Sequence, residues 1–162
     1  MMKRDEIAAR RAARLAAVQG LYQMELSGDS TDEVMAAFQA GKLPRESEAA
    51  YTAAEADIDL FRCLIDNAVN RQLTIDRAIA RHLGKNWRLE RLDAVARAIL
   101  RAGAVELEQR TDIPVAVVID EYVEIAHAFF DGPEPGFING ALDACAKELR
   151  PVGETPATHN GG

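Results

Sequence analysis

The chain has 162 residues, 48% of them hydrophobic and 6% aromatic, which suits one compact domain or two small subdomains sharing a core and excludes a multi-domain enzyme. Alanine recurs at nearly every helical turn while aromatic residues are scarce, so the class reads as all-α rather than sheet-based. The net charge of −7 argues against a protein that coats nucleic acid through its whole surface.

The first predicted helix runs from Asp5 to Leu26, with Ile7, Leu15, Val18, Leu21, Tyr22 and Leu26 as its buried stripe at mostly three- and four-residue steps. Residues 1–24 hold five basic side chains against two acidic ones, whereas residues 25–59 hold two against nine. Any contact with a polyanion is therefore localised to this first helix and what packs beside it. Arg10, Arg11 and Arg14 fall on one arc off the apolar stripe, a pattern that can grip phosphates or stack on splayed bases. A solvated basic face is the ordinary alternative for such a cluster.

Ser27-Gly28-Asp29-Ser30 ends that helix, and a short one from Asp32 to Ala40 follows, with Val34, Met35 and Phe38 inward. After the breaker run Gly41-Lys42-Leu43-Pro44, a helical pattern extends to about Gln72, anchored by Ile58, Phe61, Leu64, Ile65 and Ala68. Thr74 reads as the N-cap of a helix through Leu83, ended by Gly84. Trp87 to Gln109 reads as the central core helix, whose small residues let a neighbour approach closely. Pro114 starts a helix to about Phe130, and Phe137, Ile138, Ala141, Leu142, Cys145 and Leu149 line a last one. The expectation is seven helices in two small packed bundles, subdomains 1–72 and 86–150 of one domain, with 151–162 as a disordered tail.

Candidate chemistry is sparse. Cys63 and Cys145 form no ligand pattern and read as buried free thiols. Asp120, Glu121, Glu124 and His127 give a single E-x-x-H string where a di-iron bundle needs two, so they read as a solvated face and no metal is expected. There is no P-loop, nucleophile elbow or paired nucleophile and base, so no catalytic residue and no cofactor is assigned. No stretch approaches the ~18 apolar residues of a membrane span, and a cytoplasmic protein is expected. Gly140 sits one turn into the last helix, where alanine would be preferred, and close helix packing is the expected cause. Phe137, after a Pro/Gly-rich loop, reads either as a core plug or as a platform for a base.

Four strings, Arg10-Arg11-Ala12-Ala13-Arg14-Leu15-Ala16-Ala17-Val18-Gln19-Gly20-Leu21-Tyr22, Asp112-Ile113-Pro114, Ile119-Asp120-Glu121 and Phe137-Ile138-Asn139-Gly140-Ala141-Leu142-Asp143, stand in an order that resembles the NusB family of bacterial transcription antitermination factors. The resemblance runs from about Arg10 to Arg150. It implies an all-helical fold of two small bundles without enzymatic activity. It also implies binding of the boxA element of nascent ribosomal RNA together with the small-subunit ribosomal protein NusE, and entry into the elongating RNA polymerase complex with other Nus factors. Arg10, Arg11 and Arg14 match the family's RNA-contacting helix, with Gln19 and Phe137 near that surface, while Tyr22, Leu26 and Glu90 match the face that meets NusE. Two departures stand out: Ala12 replaces an arginine of some relatives, and the acidic segment between Asp29 and Asp57 looks long. Two other readings remain at this point: a helical adaptor that binds only protein, and an RNA-docking module like that at the front of ribosomal RNA cytosine methyltransferases, which would need a catalytic domain beyond Gly162. A monomer and a homodimer covering the basic helix share the same pattern.

Overall fold

A computed structural model describes residues 4–44 and 56–151. Among these, seven α-helices and one short 3-10 turn account for the regular structure: α1 (Arg4–Ser27), α2 (Thr31–Gln39), α3 (Ile58–Asn70), α4 (Gln72–Arg81), the 3-10 turn (Leu89–Arg91), α5 (Ala94–Gln109), α6 (Val115–Phe129) and α7 (Glu134–Leu149). The chain divides into two compact units, Met1–Asn70 and Arg71–Gly162. The expected tail beyond Pro151 and residues 45–55 of the acidic segment lie outside the described residues.

In the first unit, α1 packs on α3 and α2. Its buried face differs from the expected stripe of large side chains. Ala12, Ala13, Ala16, Ala17 and Gly20 face inward with Val18 and Leu21, whereas Ile7, Tyr22 and Leu26 are exposed. The cause is close approach: a Cβ on Gly20 would stand 2.8 Å from Val34 Cγ1 and 3.4 Å from Ile65 Cδ1, so α1 meets its neighbours through its smallest residues. Phe38 of α2 stacks on Phe61 of α3 at 4.0 Å between ring centroids. Helix α2 opens with a capping box, Ser30 Oγ accepting from Glu33 N while the Glu33 carboxylate accepts from Ser30 N. Helix α3 begins only at Ile58, after Asp57, whose Oδ1 accepts from Leu60 N at 3.0 Å.

In the second unit, α5, α6 and α7 pack against one another, and α4 packs on α5 and α7. Gly103 is the contact point, since a Cβ there would lie 3.0 Å from both Leu142 methyls. Polar bridges at three carboxylates tie α4 in place. Arg71 grips Glu108 through two hydrogen bonds of 2.7 Å, Arg101 grips Asp76 at 2.8 and 3.0 Å, and Arg81 and His82 both meet Glu148. Burial pushes the Glu108 carboxyl up and the Arg71 hydrogen bonds pull it down, leaving it below its ordinary value. Burial, assisted by the Glu148 charge, raises the Cys145 thiol to about 11, so this free thiol is an inert core residue while Cys63 is half-buried.

Three local expectations are corrected. Thr74 lies inside α4, which begins at Gln72 after Arg71, because the chain passes from α3 into α4 with a one-residue break instead of a loop. The central helix begins at Ala94 and not Trp87, since Asp93 Oδ1 accepts from Val95 N at 2.8 Å and fixes the start there. Gly140 is not a close-packing site: a Cβ placed there meets nothing within 4 Å. Gly140→Ala is therefore expected to raise stability by about 1 kcal/mol through helix propensity, and Tm by about 3 °C, in a thermal melt followed by circular dichroism.

The Glu148 carboxyl is held down to about 2 by its hydrogen bonds to Arg81 and then His82. A depressed carboxylate contributes stability above its ordinary 4.5 and loses it as pH falls toward 2. Urea midpoints at pH 6 and pH 3 should accordingly differ less for Glu148→Gln than for the wild type.

Candidate nucleic-acid interface

The candidate residues fall in both units. In α1, advancing about 100° per residue, Arg11, Leu15, Gln19, Tyr22 and Leu26 follow one another along a single stripe opposite the alanine face. Arg11, Tyr22 and Leu26 are exposed, and Leu15 and Gln19 are half-buried. The stripe runs for about 22 Å, cationic toward the N-terminal end and apolar toward the C-terminal end. The alanine spacing that buries one side of α1 is what leaves this side outward.

The expected arc of three arginines is corrected. Arg14 is only 3% exposed, because it shares its i, i+4, i+7 row with the buried Val18 and Leu21. Arg10 is half-buried with Nε 4.0 Å from Asp57 Oδ2, and Asp57 N donates to Ala9 O at 3.0 Å, which fixes the carboxylate beside it. Only Arg11 of the three is exposed. Ala12 is fully buried, so the missing arginine at that position removes nothing from this surface.

In the second unit, Phe137 occupies the first turn of α7, which starts three residues earlier than expected at Glu134 with Pro135 in its first turn. Its ring is half-buried and lies 4.9 Å from that of Trp87, with the planes tilted by 39°. Phe137 is thus neither a sealed core plug nor an isolated platform. Trp87 itself, 54% exposed, was not singled out by the sequence, where it reads as the first turn of a core helix. Glu90 is exposed on the 3-10 turn. Asp120, Glu124 and His127 are exposed on α6. Among the described residues no group of His, Cys, Asp and Glu could hold a metal ion, and no helix is long and apolar enough to cross a membrane.

The sequence profile of the NusB family matches residues 11–147. The chain belongs to the NusB family. It is 54% identical over 149 residues to the transcription antitermination protein NusB of Caulobacter vibrioides, covering 92% of this chain and 99% of that protein. Among solved structures, NusB of T. maritima superposes with a TM-score of 0.70 at 33% identity, over 90% of this chain and 95% of the other. A chain from a crystal structure of a plectonemic RNA supercoil superposes with a TM-score of 0.67 at 28% identity, over 85% and 94%. The all-α architecture of this chain is that of the NusB structure.

Proposed function

We propose that this family member is a transcription antitermination factor without enzymatic activity, which binds boxA-type single-stranded RNA jointly with NusE and enters the elongating RNA polymerase complex with other Nus factors. The observation that carries the reading is the outward stripe of α1, where Arg11 and Gln19 adjoin Tyr22 and Leu26 on one helix. A cation for phosphate beside an apolar patch for protein suits a surface shared by RNA and a protein partner. The names of the relatives point the same way, toward transcription antitermination.

The burial of Arg14 and the pairing of Arg10 with Asp57 sharpen the quantitative expectation. Three neutralised phosphates would give a salt slope near −2, at about −0.7 each on a single strand. With only Arg11 of the three turned outward, binding by the chain alone should be weak and its slope shallower than that. A partner that adds basic surface then supplies affinity. The test is a fluorescence-anisotropy titration of boxA-type and scrambled RNA at two salt concentrations, with and without NusE. Preference for boxA that sharpens with NusE is expected. Equal binding of both RNAs in the presence of NusE would overturn boxA recognition, and binding of neither would favour the protein-only adaptor.

A further inference from the structure

We infer that Trp87 is a base-stacking residue for single-stranded RNA in the second unit, backed by Phe137 and flanked by Lys85, Arg88 and Arg91, which hold the adjoining phosphates. The inference rests on the RNA-binding reading above and adds Trp87 and its neighbouring cations to it.

Tryptophan brings a large apolar area that folding normally hides, yet this indole is 54% exposed. Phe137 lies against one side of it at 4.9 Å, so the ring is supported while more than half its surface is open. The loop that carries it is stiffened from several directions. Gly84 ends the preceding helical segment at φ +93°, and Trp87 N donates to Gly84 O at 3.4 Å. The Arg97 guanidinium donates to the carbonyls of Leu89 at 3.2 Å, Glu90 at 3.3 Å and Leu92, and the Leu89 side chain is buried. A ring presented on a fixed loop loses little freedom when a ligand stacks on it.

Charge selects the ligand. Elsewhere in this unit cations are largely consumed: Arg71, Arg81 and Arg101 by carboxylates, Arg97 and Arg150 by carbonyls. Lys85, Arg88 and Arg91 are exposed and make no ion pair among the described residues, and Glu90 is the only acid from Gly84 to Leu92. In a chain of net charge −7, three uncommitted cations within four residues of an open indole favour a polyanion with a flat, stackable face over an apolar protein segment. A single-stranded nucleic acid has both features, since every base offers a π-face and every step a phosphate.

Trp87 is the only tryptophan in the chain, so its emission reports directly on this surface. The full-length protein is titrated with boxA-type RNA, with and without NusE, and with inorganic polyphosphate as a polyanion that lacks bases. Quenching by RNA and none by polyphosphate is expected. Trp87→Ala should weaken RNA binding by about tenfold, Trp87→Phe should restore most of it, and both should capture NusE as the wild type does, with helical content checked by circular dichroism. Equal quenching by polyphosphate, or wild-type affinity in Trp87→Ala, would overturn the inference. Loss of NusE capture in Trp87→Ala would reassign the surface to the protein partner. Failure of the wild-type pair to bind boxA RNA at all would instead overturn the antitermination reading beneath it, a result separable from the others because it precedes any substitution.

Discussion

Replacing Arg150 by methionine is expected to destabilise the protein by about 3 kcal/mol and lower its Tm by about 10 °C. Arg150 sits just past α7, is 5% exposed, and turns its guanidinium back onto the end of α5. Nε donates to Leu107 O at 3.0 Å, Nη1 to Ile113 O at 2.5 Å, and Nη2 to Arg110 O at 2.8 Å and Glu106 O at 3.4 Å. The last carbonyls of a helix have no intrahelical partner and carry its negative pole. One planar cation thus caps α5 and pins the turn leading to α6. Burial pushes the Arg150 pKa down, opposed by the nearby charges of Glu106 and Asp112. Glu106 is itself fully buried and accepts from Tyr122 Oη at 2.8 Å.

Methionine fills a similar volume but donates nothing, leaving carbonyls dry and removing a positive charge near the buried Glu106. Arg150→Lys is expected to recover less than half of the loss, because an ammonium on a single point cannot address carbonyls spread along a planar fork. Urea denaturation of the three proteins at pH 7 measures this. Equal midpoints for wild type and methionine variant would mean that the cap contributes no net stability.

Arg150 shows why part of the fold was legible in sequence and part was not. Helix α2 could be placed from the breaker runs on either side of it, and α6 from Pro114, because those signals act within a turn or two of themselves. The function of Arg150 depends on carbonyls 37 to 44 residues away, and nothing in its neighbourhood announces that. The inward face of α1 was misplaced for a related reason. Periodicity weighs large apolar residues, but alanine becomes a core residue wherever a neighbouring helix comes close enough, and Gly20 against Val34 shows that one does. Once the alanines turn inward, Arg14 follows them, and Tyr22 and Leu26 turn out. Trp87 was hidden because tryptophan before an apolar run looks like the start of a core helix, and only the Asp93 cap places that start seven residues later at Ala94.

The same inversion yields the second large effect. Tyr22→Asp and Leu26→Asp are each expected to weaken NusE binding by about thirtyfold or more while leaving the melting curve nearly unchanged. Both side chains already meet solvent, at 38% and 58% exposure, so an aspartate there costs the fold little. In a complex, the same aspartate would be desolvated without a partner where a large apolar surface is needed. Tyr22 and Leu26 are one turn apart, so either charge spoils the same patch. Arg11→Ala is the counterpart on the same stripe, expected to lower RNA affinity with NusE capture intact. Isothermal titration with NusE and anisotropy with boxA-type RNA separate the two. If Tyr22→Asp bound NusE normally, the apolar end of α1 would need another occupant, and a second copy of the chain would be the first to test by sedimentation, since pairing through that patch would also bring Arg11 toward the covered surface.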